Sequence, residues 1–182
     1  MSYLKIIRSI SLIILLFLIT SCSNNNAMKP EDFKNKEPRL IIEEYLTGNV
    51  KAWGVLQNRF GKVTRQFSAD LDGTWDGKQL ILKEKFNWDD GEVQNREWTI
   101  NKIDENYYEG TAGDVVGKAK GYSYGPAFKF EYVLLIPVKG KEMKITFDDW
   151  IFKQNDRVAI NRATLTKFGI KVAELTVVFV KD

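Results

Sequence analysis

From Val50 to the carboxyl terminus, apolar and polar residues alternate in short runs, broken by dipeptides rich in Gly, Asn and Asp. A period of two puts successive side chains on opposite faces of a strand, whereas a helix repeats every 3.6 residues. The pattern predicts ten strands, at 50–57, 62–72, 78–88, 94–103, 106–112, 118–124, 127–138, 141–153, 156–167 and 170–181. Asn58-Arg59-Phe60-Gly61, Asp72-Gly73, Asp76-Gly77, Asp89-Asp90-Gly91, Lys139-Gly140 and Phe168-Gly169 supply turn chemistry between them. Gaps this short join antiparallel neighbours, because a parallel crossover needs a dozen residues or more. One helix is predicted upstream, within Pro30–Leu46. Its segment Arg39–Leu46 lies between Pro38 and Gly48 and carries Ile41, Ile42, Tyr45 and Leu46 on one side. The fold expected is mainly β: an antiparallel up-and-down meander closing into a barrel, since closure removes the two unpaired edges.

The first 21 residues have a different character. A short basic start (Lys5, Arg8) leads into an apolar run between Ile10 and Ile19. As a helix, about 10–12 residues span about 15–18 Å, well short of the roughly 30 Å of bilayer hydrocarbon. The layout is that of a cleaved signal peptide. It ends in Leu18-Ile19-Thr20-Ser21-Cys22, which resembles the bacterial lipobox. That resemblance implies cleavage before Cys22, diacylglyceryl modification of its thiol and acylation of the new amine; an ordinary thiol is the plainer alternative. Several acyl chains on one residue would anchor the protein stably. Ser23 stands where Asp retains enterobacterial lipoproteins in the inner membrane, which implies the outer membrane, facing the periplasm. The domains expected are a signal peptide at 1–21, a lipidated polar tether at 22–37 and a β-barrel at 38–182.

Composition narrows the chemistry. Of 182 residues none is His and one is Cys. Without His, Ser-His-Asp and Cys-His catalysis and most zinc sites are excluded. Removal of Lys5 and Arg8 would leave 25 basic against 24 acidic side chains. With no basic concentration along the chain, nucleic acid is not an expected partner. No cofactor, metal or catalytic residue is expected.

A series of short motifs carries a resemblance. Ala52-Trp53-Gly54, Asn58-Arg59-Phe60-Gly61, Arg96-Glu97-Trp98, Tyr108 through Gly117, Phe147-Asp148-Asp149-Trp150, Asn161-Arg162-Ala163 and Lys167-Phe168-Gly169 occur in this order. Between Tyr45 and Phe179 the chain resembles a family of bacterial lipoproteins, the domain of unknown function 3833. The family implies no established activity. The frequent neighbourhood of its members to fatty-acid-modifying enzymes implies lipid. A helix, a tryptophan-bearing first strand and a meander also resemble the lipocalin (calycin) arrangement, by fold analogy.

Sorting strand faces yields candidate site residues. Glu84 lies on the face of Leu80, Leu82, Phe86 and Trp88, and Arg96 on that of Trp98 and Ile100. A charge on each apolar face of one hairpin predicts an Arg96–Glu84 pair, because burying either alone is costly. Two readings stand: Arg96 binds a ligand carboxylate or phosphate inside the barrel, or the pair is structural. Asp148 and Asp149 point to opposite faces, Asp149 with Ile145, Phe147 and Ile151. Arg162, grouped with Val158 and Ile160, is expected to pair with Asp149 inside or to polarise a ligand. Trp98 and Tyr132 join Trp53, Trp75, Trp88, Phe128, Phe130 and Trp150 as aromatics that line a cavity or pack a core. Asp89-Asp90-Gly91-Glu92 faintly resembles a calcium loop but lacks its spaced ligands, so a hairpin turn is the better reading. The glycines between Gly110 and Gly125 mark close backbone approach rather than phosphate binding.

The expectation is a membrane-anchored binding module holding a small apolar ligand, such as a fatty acid or lipid. An envelope interaction protein with a filled barrel is the alternative, and a carboxylate-based hydrolase comes last.

Overall fold

The computed structural model describes residues 27–138 and 140–182; the signal segment and Cys22 lie outside the described residues. Ten antiparallel strands run in chain order: β1 (Gly48–Asn58), β2 (Val63–Trp75), β3 (Gln79–Trp88), β4 (Val93–Lys102), β5 (Tyr107–Thr111), β6 (Ala119–Tyr124), β7 (Ala127–Val138), β8 (Lys141–Lys153), β9 (Val158–Lys167) and β10 (Ile170–Lys181). Each pairs with the next, and β1 pairs with β10 from Val50↔Lys181 to Asn58↔Ala173, so the barrel is closed. Alternation sets the inner wall. Val50, Ala52 and Gly54 on β1, and Phe67, Ala69, Leu71 and Gly73 on β2, are buried between exposed neighbours.

The two ends differ. Leu40, Ile42, Tyr45 and Leu46 are buried at 0–4% exposure and plug the end where β1 begins. Polar contacts fix this plug: Leu40 N–H donates to Gly125 O at 2.7 Å, Ser123 Oγ to Leu40 O at 2.9 Å, and Tyr45 Oη to Arg157 O at 3.0 Å. Glu43, 5% exposed, accepts from Lys102 Nζ at 2.5 Å and Tyr108 Oη at 2.9 Å. Burial alone pushes the Glu43 carboxyl up, but these donors and its own backbone amide hold it below the usual carboxylate range.

The expected helix is reduced to α1 (Ile42–Tyr45), after a 3-10 turn at Pro30–Phe33. The apolar residues at 40–46 are drawn into the barrel end, and four residues of helix suffice for that; tertiary burial overrides the local helix signals. Phe33, from the stretch expected to be tether, packs on the outer wall against Trp150 and Phe152, with ring centroids 6.0 and 5.6 Å away. The strand β2 also continues through Asp72-Gly73 to Trp75 rather than turning there. Gly73 answers to the plug: a Cβ at this position would sit 1.9 Å from the Leu46 carbonyl oxygen. Of the glycines expected to mark close approach, Gly110 and Gly121 do, since a Cβ there would meet the ring of Phe130 or Phe128, and so does Gly125 against the Phe33 carbonyl; Gly113 and Gly117 have open space beside them.

Residues 27–182 contain the ten strands that close the barrel, the plug and the hydrophobic core. Replacing Gly73 by Ala is expected to lower unfolding stability by about 2–3 kcal/mol, because the backbone oxygen beneath it has nowhere to go. Ordinarily Gly→Ala in a strand gains about 0.5–1 kcal/mol. A urea melt in which G73A matches or exceeds the parent would show that the plug does not sit against β2.

Candidate functional site in the barrel interior

Five of the six candidate residues meet inside the barrel: Glu84, Arg96, Trp98, Tyr132 and Asp149. In the β3–β4 register Glu84 stands opposite Arg96, and Arg96 Nη1 lies 3.8 Å from Glu84 Oε2. Further round the wall, Tyr132 Oη donates to Asp149 Oδ2 at 3.0 Å. Trp98 closes the floor beneath them, its ring 5.1 Å from Phe130 and 5.2 Å from Tyr132. Tyr132 in turn stacks on Phe147 at 4.9 Å and 11°.

Two partners were not foreseen. Asp114 takes Arg96 Nε at 3.1 Å and Nη2 at 2.7 Å, in a fork that leaves the guanidinium largely satisfied. Asp114 sits in the connection between β5 and β6, a stretch read for its glycines rather than its acid. These two strands are short, so residues 93–98 of β4 and 133–138 of β7 lack a regular neighbour there. The connection fills the gap: Val116 N donates to Val133 O, Leu135 N to Asp114 O, and Val115 bridges to Leu134. Asn161, 3% exposed, is the second; its Nδ2 donates to Asp149 Oδ1. The same alternation that selected Asp149 selects Asn161, had the inner face of β9 been chosen correctly.

Arg162 is a correction. It points outward, its side chain 63% exposed, and meets Glu174 at 3.3 Å. The inner face of β9 is Ala159, Asn161, Ala163 and Leu165, all buried. The branched Val158 and Ile160 suggested the opposite face. The interior takes small residues on β9 because the aromatic side chains of β7 and β8 already occupy that space. Trp53 and Trp150 also face outward, Trp53 at 52% exposure and Trp150 beneath Phe33. The other aromatic candidates face inward.

The inner space is tightly packed at one end and less tightly packed towards the other. Next to the plug, Val50, Leu80, Phe128 and Ala159 are 0–1% exposed. Towards the far end, Leu56, Phe86, Trp88, Ile136, Met143 and Leu175 keep partial exposure although they face inward. A second cluster of Leu134, Ile145, Phe147, Ala163 and Leu165 lies on the β7–β9 side, with Leu56, Ala173 and Leu175 of β1 and β10 packed against it as partly buried residues. Between the two zones, Glu84 and Arg96 are enclosed by the wall yet retain 12% and 14% of their side-chain surface. Two grooves on the outside of the wall, one beside Trp53 and Val178 and one between Asp70, Lys83 and Glu97, are bordered mainly by outward-facing side chains.

The electrostatics are acidic. Among the described residues, one cation, Arg96, faces Glu84, Asp114 and Asp149. Burial pushes Glu84 up to about 7, against the pull of Arg96 and the Trp98 indole. Burial likewise raises Asp149 to about 6, against the hydrogen bonds from Asn161 and Tyr132. Glu84 Oε2 is itself buried and accepts no hydrogen bond from the described residues, so the surface that Glu84 retains belongs to the rest of its side chain. The site is therefore short of donors, not of acceptors. No group of His, Cys, Asp and Glu among the described residues is arranged to hold a metal ion.

The model of the family described as protein of unknown function, DUF3833, matches residues 16–181. The chain belongs to this family. No curated protein matches this DUF3833 member in sequence. Its fold is similar to that of an S-type phycobiliprotein lyase from Guillardia theta, with a TM-score of 0.58 and 11% identity over 77% of this chain and 90% of that one. It is also similar to a DUF3598-family protein of unknown function from Nostoc punctiforme PCC 73102, with a TM-score of 0.60 and 14% identity over 81% of this chain and 51% of that one. Both likenesses are of fold. No described helix of this DUF3833 chain is long and apolar enough to cross a membrane.

The raised carboxyls set a pH dependence. In the unfolded chain Glu84 and Asp149 titrate near 4.3 and 3.9. Between those values and about 6–7 the folded state binds more protons, so their contribution to stability is full at low pH and is lost as pH rises through that window. For Glu84 the loss is on the order of 3–4 kcal/mol. Glu84→Gln removes this titration and is expected to narrow the gap between urea midpoints at pH 5 and pH 8. An unchanged gap would place Glu84 in contact with bulk water.

Proposed function

We propose that this protein is a non-enzymatic envelope lipoprotein that holds a long-chain amphiphile inside its barrel. The observation that carries the reading is the enclosed polar station at Glu84 and Arg96, which retains accessible surface midway between a plugged end and a partly open apolar chamber. Ligand sites of this kind are mostly apolar with a few convergent polar groups. On the β10–β1 side of the chamber the inward residues Leu56, Ala173 and Leu175 keep partial exposure, whereas nearer the plug the ring of Phe67 takes the space beside Gly54.

The charge count refines the ligand. Arg96 is already neutralised by Asp114 and Glu84, so a fatty-acid carboxylate would meet more negative than positive charge. The free acceptor on Glu84 suits a donor, and a hydroxyl head group of the monoacylglycerol class fits best. Ten buried methylenes supply about 8 kcal/mol, enough for about micromolar affinity. Catalysis has less support: Asp149 is engaged by Tyr132 and Asn161 and Asp114 by Arg96, which leaves Glu84 as a lone acceptor rather than half of an acid–base pair. Anchoring through acylated Cys22 in the outer membrane, facing the periplasm, completes the proposal and rests on the lipobox-like sequence.

Native mass spectrometry of protein extracted from its own membranes is expected to show a co-purifying amphiphile. Delipidated protein is expected to bind 1-monoolein saturably, read as a change in tryptophan emission from Trp88 and Trp98. It should bind oleate at least tenfold more weakly, and Ala173→Phe should block uptake. Ligand-free protein from repeated preparations, together with no saturable binding of either compound, would remove the carrier reading in favour of a filled barrel that docks another protein.

A further inference from the structure

The open end of the barrel carries a feature that the interior does not require. The β1–β2 and β9–β10 turns are neighbours there, because β10 pairs with β1 up to Asn58↔Ala173. At their tips Phe60 and Phe168 are 79% and 92% exposed, and Ile170 beside them is 63% exposed. Arg59 lies over the Phe60 ring at 4.6 Å and Lys167 over the Phe168 ring at 5.3 Å. With Lys62 and Lys171 they make four cations; residues 58–63 and 167–171 contain no acidic side chain, and Lys171 meets Glu174 further along β10 at 2.8 Å. The acidic turn residues Asp89, Asp90 and Glu92 lie in the next hairpin, on the other flank of the β1–β2 turn, where Arg65 of β2 pairs with Asp90 and Glu92.

Phe168 is doubly costly where it stands. The Phe168-Gly169 turn has positive φ at both residues, 52° and 75°. Two-residue hairpin turns of this kind favour Asn-Gly or Gly-Gly, and a bulky side chain in the left-handed region is strained. Almost complete exposure means that no packing within the chain compensates. A strained, exposed aromatic at a loop tip points to a function outside the fold.

We propose that this basic, aromatic arc is a membrane-docking surface: Phe60, Phe168 and Ile170 enter the headgroup boundary of an anionic bilayer while Arg59, Lys62, Lys167 and Lys171 contact lipid phosphates. Aromatic side chains favour that boundary, and clustered Lys and Arg are drawn to anionic leaflets. The contact is separate from any acyl anchor at Cys22, and it sets the open mouth against the lipid surface. It stands whether or not the chamber holds an amphiphile.

The test uses residues 27–182, which carry the whole closed barrel and its plug, with a cooperative thermal melt of this fragment recorded first, and flotation with vesicles of phosphatidylcholine and phosphatidylglycerol at 7:3. The fragment is expected to float with these and to do so far less with phosphatidylcholine alone or in high salt. Phe168→Asn is expected to reduce binding about tenfold while leaving the thermal midpoint unchanged or higher, because Asn suits the turn. Phe60→Ser with Phe168→Asn should abolish flotation. A fragment that stays at the bottom with anionic vesicles, or a Phe168→Asn variant that floats as well as its parent, overturns the proposal. In the former case a protein partner becomes the occupant of the arc.

Discussion

Closure of the sheet between β1 and β10 is the constraint from which the rest of the architecture follows. An eight-stranded ring is just wide enough for its own side chains to fill, and diameter grows roughly linearly with strand number. Ten strands enclose more space than alternating side chains can occupy, and this protein meets the excess in two ways. At one end it folds its amino-terminal segment into the ring, with Leu40, Ile42, Tyr45 and Leu46 at the bottom. At the other it leaves inward residues partly exposed. Opening the β1–β10 seam would release both, since Lys181 and Tyr45 tie the plug to β10 at the seam itself.

Charge is managed within the same geometry. A guanidinium facing inward in a ring of apolar side chains is untenable without partners. Arg96 has two, one across the hairpin and one from the β5–β6 connection that covers the gap left by two short strands. The consequence is an excess of acid: Glu84 and Asp149 are pushed towards neutrality by burial, and an acceptor is left over. A site satisfied internally would be a structural network. One with a spare acceptor and remaining surface is suited to a ligand that donates.

Much of this was legible in the sequence because a barrel of short hairpins is governed by local rules. Period-two alternation and Gly- or Asp-bearing turns place all ten strands within a few residues, and they bring Glu84 opposite Arg96 because that pair lies in one hairpin. What escaped depends on tertiary context. The Asp72-Gly73 pair looks like a turn but serves the close passage of the plug, a contact 27 residues away in the chain. Arg162 was assigned to the interior because branched residues accompany it, whereas the inner face of β9 is Ala159, Asn161, Ala163 and Leu165. Asp114 could not be recognised locally, since its role follows from β5 and β6 being too short to cover their neighbours. Phe168 stood in plain view as a turn residue, and only its backbone angle and exposure set it apart.

The account turns on the interior rather than the outer wall as the place a ligand occupies. The most direct measurement is the set of nuclear Overhauser contacts between isotope-labelled 1-monoolein and residues 27–182. Contacts from the glycerol protons to the Trp98 and Tyr132 rings, and from the chain to Phe86 and Leu175, are the predicted result. Contacts confined to Trp53, Val178 and the other outward-facing residues would contradict it.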